Sequence, residues 1–222
     1  MREALEIFRA NLERVRSIHA LYVNFSGTVT SIVDLSDLLR AEIVLIVSAL
    51  DHFVHELTRL GMMEIWRGTR ATTPAYLRYR VSMDIATQLV AATGVDYHLE
   101  MEVRTQHSFS AFQQPDRIAE AVRLFSSIEL WNEVGSTLRE DPRNITSQLK
   151  LIVDRRNKIA HEADVDPSYP GQRWPIDRKD AEDALAFIEK IGEAIFTLLA
   201  LAYRQAATDQ GTAAAARPQQ GS

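Results

Sequence analysis

Residues 36–61, SDLLRAEIVLIVSALDHFVHELTRLG, are apolar on most sides of a helical wheel. A helix with so little water-facing surface must be surrounded by other elements, so this segment predicts the central helix of a helical core. Its expected start is capped by Asp34 or Ser36, and its expected stop is Gly61, with Arg59 in the last turn where a cation suits the helix dipole. Ser48, Asp51, His52, His55 and Arg59 run through it as a polar stripe at helical spacing, readable as a solvated face or as the wall of a site.

No stretch alternates apolar and polar residues for long enough to make a sheet, and glycine is sparse, at nine residues. The class is all-α. A first helix is expected over about 2–23, broken by NFSGTVTSIVD. Thr73-Pro74 and Gln114-Pro115 place proline at first helical positions, which predicts helices over about 74–92 and 115–138. The stretch between them, TGVDYHLEMEVRTQHSFSAFQQ, is ambiguous. A helix over about 145–163, a polar loop containing proline and a last helix over about 178–205 complete the pattern. The low-complexity tail, AATDQGTAAAARPQQGS, has nothing to bury and is expected to be disordered. The expected organisation is one helical domain over 1–207 and a disordered tail over 208–222, with no internal repeat.

The 222 residues contain no cysteine, which excludes a disulfide framework, a thiolate nucleophile and a cysteine metal site, and fits a reducing compartment. The N-terminal segment is amphipathic and lacks the apolar run and cleavage site of a signal peptide, and the apolar run 43–50 is too short to span a bilayer. A cytoplasmic protein without a membrane partner is expected. The net charge of -5 argues against coating nucleic acid by bulk electrostatics, so any nucleic-acid chemistry must be local.

One local basic segment stands out: RRNKIAHEADVDP, residues 155–167. The helix leading into it has an apolar stripe of Ile145, Leu149, Ile152, Val153, Ile159, Ala160 and Ala163. Arg156 falls in the middle of that stripe, while Asp154, Asn157 and His161 cluster on a neighbouring face. A guanidinium there needs a partner or a purpose. Asp51 on the central helix is one candidate, as anchor of Arg156 or orienter of His161. Arg156 and His161 form an R-x4-H spacing, which recurs at Arg14 and His19 without the same context. Arg155, Arg156, Lys158 and His161 also suit a helix C-terminus electrostatically, each worth about 0.3–1 kcal/mol with no catalysis.

This segment, followed by WPIDRKDAEDALAFIEKIGEAI and preceded at a distance by LLRAEIVLIVSALDHFVHEL, resembles the RiboL-PSP type of the HEPN superfamily over about residues 5–200. The resemblance implies an up-and-down helical bundle, usually dimeric, whose R-x4-6-H motif ends a late helix and meets its twin across the dimer axis. Many such proteins are metal-independent endoribonucleases of toxin, phage-defence and stress systems, and others lack nuclease activity. By position, Arg156 and His161 match the motif and are the expected catalytic pair, and Asn157 matches the polar residue after the arginine. Arg155 also fits, as R-x5-H, and Arg155, Lys158, Asn157 and Asp51 are the expected RNA-binding or supporting residues.

The expected reaction is attack of the RNA 2′-hydroxyl on the adjacent phosphorus, with His161 as base and Arg156 on the transition-state charge, giving a 2′,3′-cyclic phosphate. RNA, a second copy of the chain and a neutralising or regulatory protein are the expected partners. The alternatives are a noncatalytic HEPN module binding RNA, a nucleotide or a protein, and a purely structural dimerisation protein. No cofactor and no metal are expected, since His52 and His55 form a pair without an HExxH pattern. Trp66, Trp131 and Trp174 are read as packing residues.

Overall fold

The apolar segment does become the central helix, α2 (Ser36–Trp66), which buries residues on nearly every side, from Leu39 through Phe53 to Ile65. The structure is a computed structural model and describes residues 1–28, 30, 33–90, 95–169 and 171–215, with side chains described to 204 and not at 95. Among these residues it consists of eight α-helices, one 3-10 turn and a single antiparallel bridge between Val165 and Arg173. Neither expected residue is the N-cap of α2, which is Leu35 without a side-chain cap bond, but Asp34 just before it accepts the Ser36 N–H at 2.8 Å.

Around α2 pack α1 (Arg2–Ser26), α4 (Val95–His107), α5 (Pro115–Arg123), α7 (Pro142–Glu162) and α8 (Arg178–Ala215). In α1 the buried Ala4, Leu5, Phe8, Leu12 and Val15 keep helical spacing, and Phe8 stacks on Phe53 of α2 with ring centroids 4.7 Å apart. Between α7 and the body of α8 sits α6 (Leu130–Leu138), which packs on both.

Several boundaries differ from the sequence pattern, each for a packing reason. Gly61 does not end α2. A Cβ there would lie 2.3 Å from the Phe125 ring, so this glycine allows close approach and the helix continues to Trp66. The helix expected over 74–92 is instead a 3-10 turn, Tyr76–Arg78, and a short α3 (Met83–Val90). Thr73 explains the turn: its hydroxyl donates to the Arg123 carbonyl and accepts the Tyr76 N–H, pinning the segment against the end of α5. The ambiguous stretch forms α4, which buries Leu99 and Val103 against Met62 and Met63. The expected helix over 115–138 divides into α5 and α6, and the break lets Phe125 reach Gly61 while Trp131 donates to the Pro115 carbonyl at 2.9 Å. α7 begins at Pro142, where Asp141 accepts the Arg143 N–H at 2.8 Å. The last helix runs to Ala215, past the expected boundary near 205, and residues 216–222 of the expected tail lie outside the described residues. No described helix is long and apolar enough to cross a membrane.

Candidate functional site

The stripe on α7 buries Ile145, Leu149 and Val153 towards α2, and half-buried Arg156 continues it. Arg156 and His161 are separated by about 140° around the helix and about 7.5 Å along it. Asn157 lies between them. Its Oδ1 accepts Arg156 Nη1 at 3.0 Å, so the long side chain leaves the core stripe and carries its charge towards the Asn157 side. Arg156 Nε is buried and has no hydrogen-bond partner, and no carboxylate pairs with this guanidinium among the described residues. His161 is exposed and makes no hydrogen bond among them.

Arg155 stands in different surroundings. Its Nη2 donates to Asp164 Oδ2 at 2.8 Å and to the carbonyls of Pro175 at 3.1 Å and Trp174 at 3.3 Å. From α2, Arg40 donates through Nε to the same Asp164 oxygen at 2.7 Å, through Nη2 to the Trp174 carbonyl at 2.8 Å and through Nη1 to Ser36 Oγ. Asp164 is 0% exposed, and its Oδ1 has no protein partner among the described residues. Burial lowers the Arg155 pKa from the usual guanidinium range; Asp164 opposes that shift and Arg40 adds to it. Lys158 extends over the Trp174 ring, with Nζ 4.8 Å from its centroid.

The backbone turns sharply here. Ala163 and Asp164 have φ of 51° and 59°, and each left-handed residue of this kind costs about 1–2 kcal/mol, less where a short polar side chain bonds locally. The Asp164 N–H donates to the Lys158 carbonyl at 3.0 Å and its carbonyl accepts the Trp174 N–H at 2.8 Å. The basic run therefore divides in two. Arg155 and Lys158 hold the loop after α7, while Arg156, Asn157 and His161 have no carboxylate partner among the described residues. A cleft of about 270 Å³ between α2, α7 and α8 belongs to the Arg155 side, lined by Ile43, Leu151, Ile152, Arg155 and Ile176 among others, and its lining includes neither Arg156 nor His161.

The expectation that Asp51 anchors Arg156 or orients His161 is corrected. Asp51 Oδ1 accepts the Phe112 N–H at 2.6 Å, and it pairs with neither residue among the described residues. The polar stripe of α2 faces α4 and the segment after it: His55 donates to the Ser110 carbonyl at 3.2 Å, and Arg59 pairs with Glu56 and Glu100. Beside them His107 is buried against Phe112 and Tyr79, and burial, with His55 nearby, lowers its pKa to about 4. His19, in the second R-x4-H match, sits between Glu42 and Glu182 at 2.9 and 3.1 Å. Of the tryptophans, Trp131 and Trp174 are partly buried, while Trp66 is 38% exposed and donates to Asp96. No group of three or more His, Asp or Glu among the described residues is arranged to hold a metal ion.

Sequence reasoning missed Arg40 and Asp164. It looked for an acid on the central helix to meet an arginine on α7, and the structure has the reverse, an arginine on α2 meeting an acid just past α7. The available signal was Arg40 itself, a charge inside the most apolar helix of the chain.

A family model described as RiboL-PSP-HEPN matches residues 114–201, from the residue before α5 through α7 and into α8. Over that span, well under half of the chain, it is similar to the RiboL-PSP type of HEPN domain. The matched span contains the whole R-x4-H segment and leaves Arg40 and Asp51 outside it. No curated protein and no solved structure matches the chain. HEPN domains often bind RNA and dimerise, and the similarity over 114–201 points to ribonuclease or other RNA-related function in general.

Proposed function

We propose that this protein is a HEPN-type, metal-independent endoribonuclease with Arg156 and His161 as its reacting groups. One observation carries the reading. Of the cations in the last turns of α7, Arg155 and Lys158 are engaged by Asp164 and Trp174, whereas Arg156 and His161 have no carboxylate partner among the described residues. A half-buried guanidinium without a counter-ion is costly, and a phosphate-binding role accounts for keeping it.

The chemistry follows from the residue types. The RNA 2′-hydroxyl loses its proton as its oxygen attacks the adjacent phosphorus, and an imidazole is suited to take that proton near neutral pH. Negative charge grows on the nonbridging oxygens, where a planar guanidinium offers two parallel hydrogen bonds. The P–O5′ bond breaks and the leaving oxygen takes a proton from a second acid, giving a 2′,3′-cyclic phosphate and a 5′-hydroxyl. The angular separation of Arg156 and His161 on one helix favours a site shared by two copies, in which the second copy's imidazole is that acid. The role we assign to such an enzyme is that of a cytoplasmic toxin or antiviral defence effector, restrained by a neutralising protein.

The test is cleavage of RNA in excess EDTA with end-group analysis of the products. Cyclic phosphate and 5′-hydroxyl ends from the wild type, and none from His161→Ala, are expected. A strict requirement for a divalent cation, 5′-phosphate ends, or RNA binding without cleavage would overturn the reading, the last in favour of a noncatalytic RNA-binding module.

A further inference from the structure

We infer that Asp164 is the positioning residue of this site: by taking both Arg40 and Arg155 on one buried oxygen, it fixes the last turn of α7 and with it the aim of His161. The activity arm of this inference rests on the nuclease reading.

His161 is exposed and has no hydrogen bond of its own among the described residues, so its backbone decides where the ring can reach. Helix ends fray unless something holds them. Here the chain passes three residues beyond His161 into Asp164, which closes the helix through its N–H on the Lys158 carbonyl and grips the returning loop through its carbonyl on the Trp174 N–H. The side chain of the same residue binds two guanidiniums from two different helices at 2.7 and 2.8 Å. Both guanidiniums also reach the Trp174 carbonyl, at 2.8 and 3.3 Å, Arg40 gripping through separate nitrogens and Arg155 through Nη2, so each is fixed to the acid and to the returning loop.

A simple helix stop does not need this arrangement. Glycine is the usual residue for a left-handed helix end, yet Ala163 and Asp164 both adopt that conformation without it. Nor does stability call for a buried triad of charges, since well-packed apolar residues commonly serve as well or better. Strain and buried charge together at the end of a motif helix point to a geometric role, and the group they hold in place is the one three residues upstream.

The experiment compares wild type, Asp164→Asn and Arg155→Lys, with circular dichroism confirming which are folded at the assay temperature. Two readouts are taken, RNA-cleavage kcat and KM, and the His161 ring resonance by heteronuclear NMR, assigned with His161→Ala. Asp164→Asn keeps a side chain tolerant of the left-handed turn but removes the anion. It should lower kcat by about tenfold to a hundredfold with KM little changed, and should shift and broaden the His161 resonance. Arg155→Lys, which keeps the charge but loses the planar guanidinium and its reach, should fall between the two. Folded Asp164→Asn with wild-type kcat and an unmoved resonance would overturn the inference. If Asp164→Asn fails to fold, Arg155→Lys decides by the same two readouts. If the wild type cleaves no RNA, the nuclease reading fails, and the resonance still reports whether Asp164 sets His161.

Discussion

Arg155 and Arg156 are neighbours in the chain and opposites in their surroundings, which gives substitutions opposite signs. Arg155→Met should destabilise the protein by about 1–3 kcal/mol, because Asp164 stays buried with only Arg40 to meet it. Arg156→Met should leave stability unchanged or raise it by up to about 1 kcal/mol, because its Nε is already buried without a partner, while cleavage is lost. Thermal melts of the two variants beside RNase assays check this. The same sign for both would mean that the two arginines are not divided between loop and site. Ala163→Gly should stabilise by about 1 kcal/mol, since glycine adopts φ of 51° without the penalty an alanine incurs. An unchanged or lowered melting temperature would show that the left-handed turn is not strained.

The helices locate these residues by what covers them. α4 and the segment after it lie over the polar side of α2, so the stripe of Asp51, His55 and Arg59 ties those elements together and makes no hydrogen bond or ion pair with Arg156 or His161 among the described residues. His107 gives this tie a pH signature. It titrates near 6.5 in the unfolded chain and near 4 in the fold, so the unfolded state takes up a proton that the native state refuses. Its contribution is present in full above about pH 6.5 and is lost as pH falls towards 4. The loss is at most roughly 3.5 kcal/mol, at about 1.4 kcal/mol per pH unit. Urea denaturation between pH 7 and pH 4 should therefore show a steeper fall in stability for the wild type than for His107→Leu. Parallel slopes would mean that the imidazole is not held neutral.

At the scale of the whole molecule, a single basic motif on a chain of net charge -5 makes a weak RNA site, and apposing two copies doubles the local positive charge. A dimer at micromolar concentration, stabilised by phosphate or sulfate, is expected by light scattering. A mixed dimer of one wild-type and one His161→Ala subunit should lose most of its activity rather than half. Half activity, or a fully active monomer, would leave the site within one subunit. The amino-acid pattern by itself determined the all-α class, the central place of α2 and the α7 segment bearing Arg156 and His161, because helical periodicity is a local property written at spacings of three and four. It did not determine where α2 ends, because the reason Gly61 is glycine is Phe125, 64 positions away. Nor did it determine which arginine is committed to the fold. Two adjacent guanidiniums are alike until tertiary structure brings Asp164 and Arg40 to one of them, and that pairing joins residues 124 positions apart.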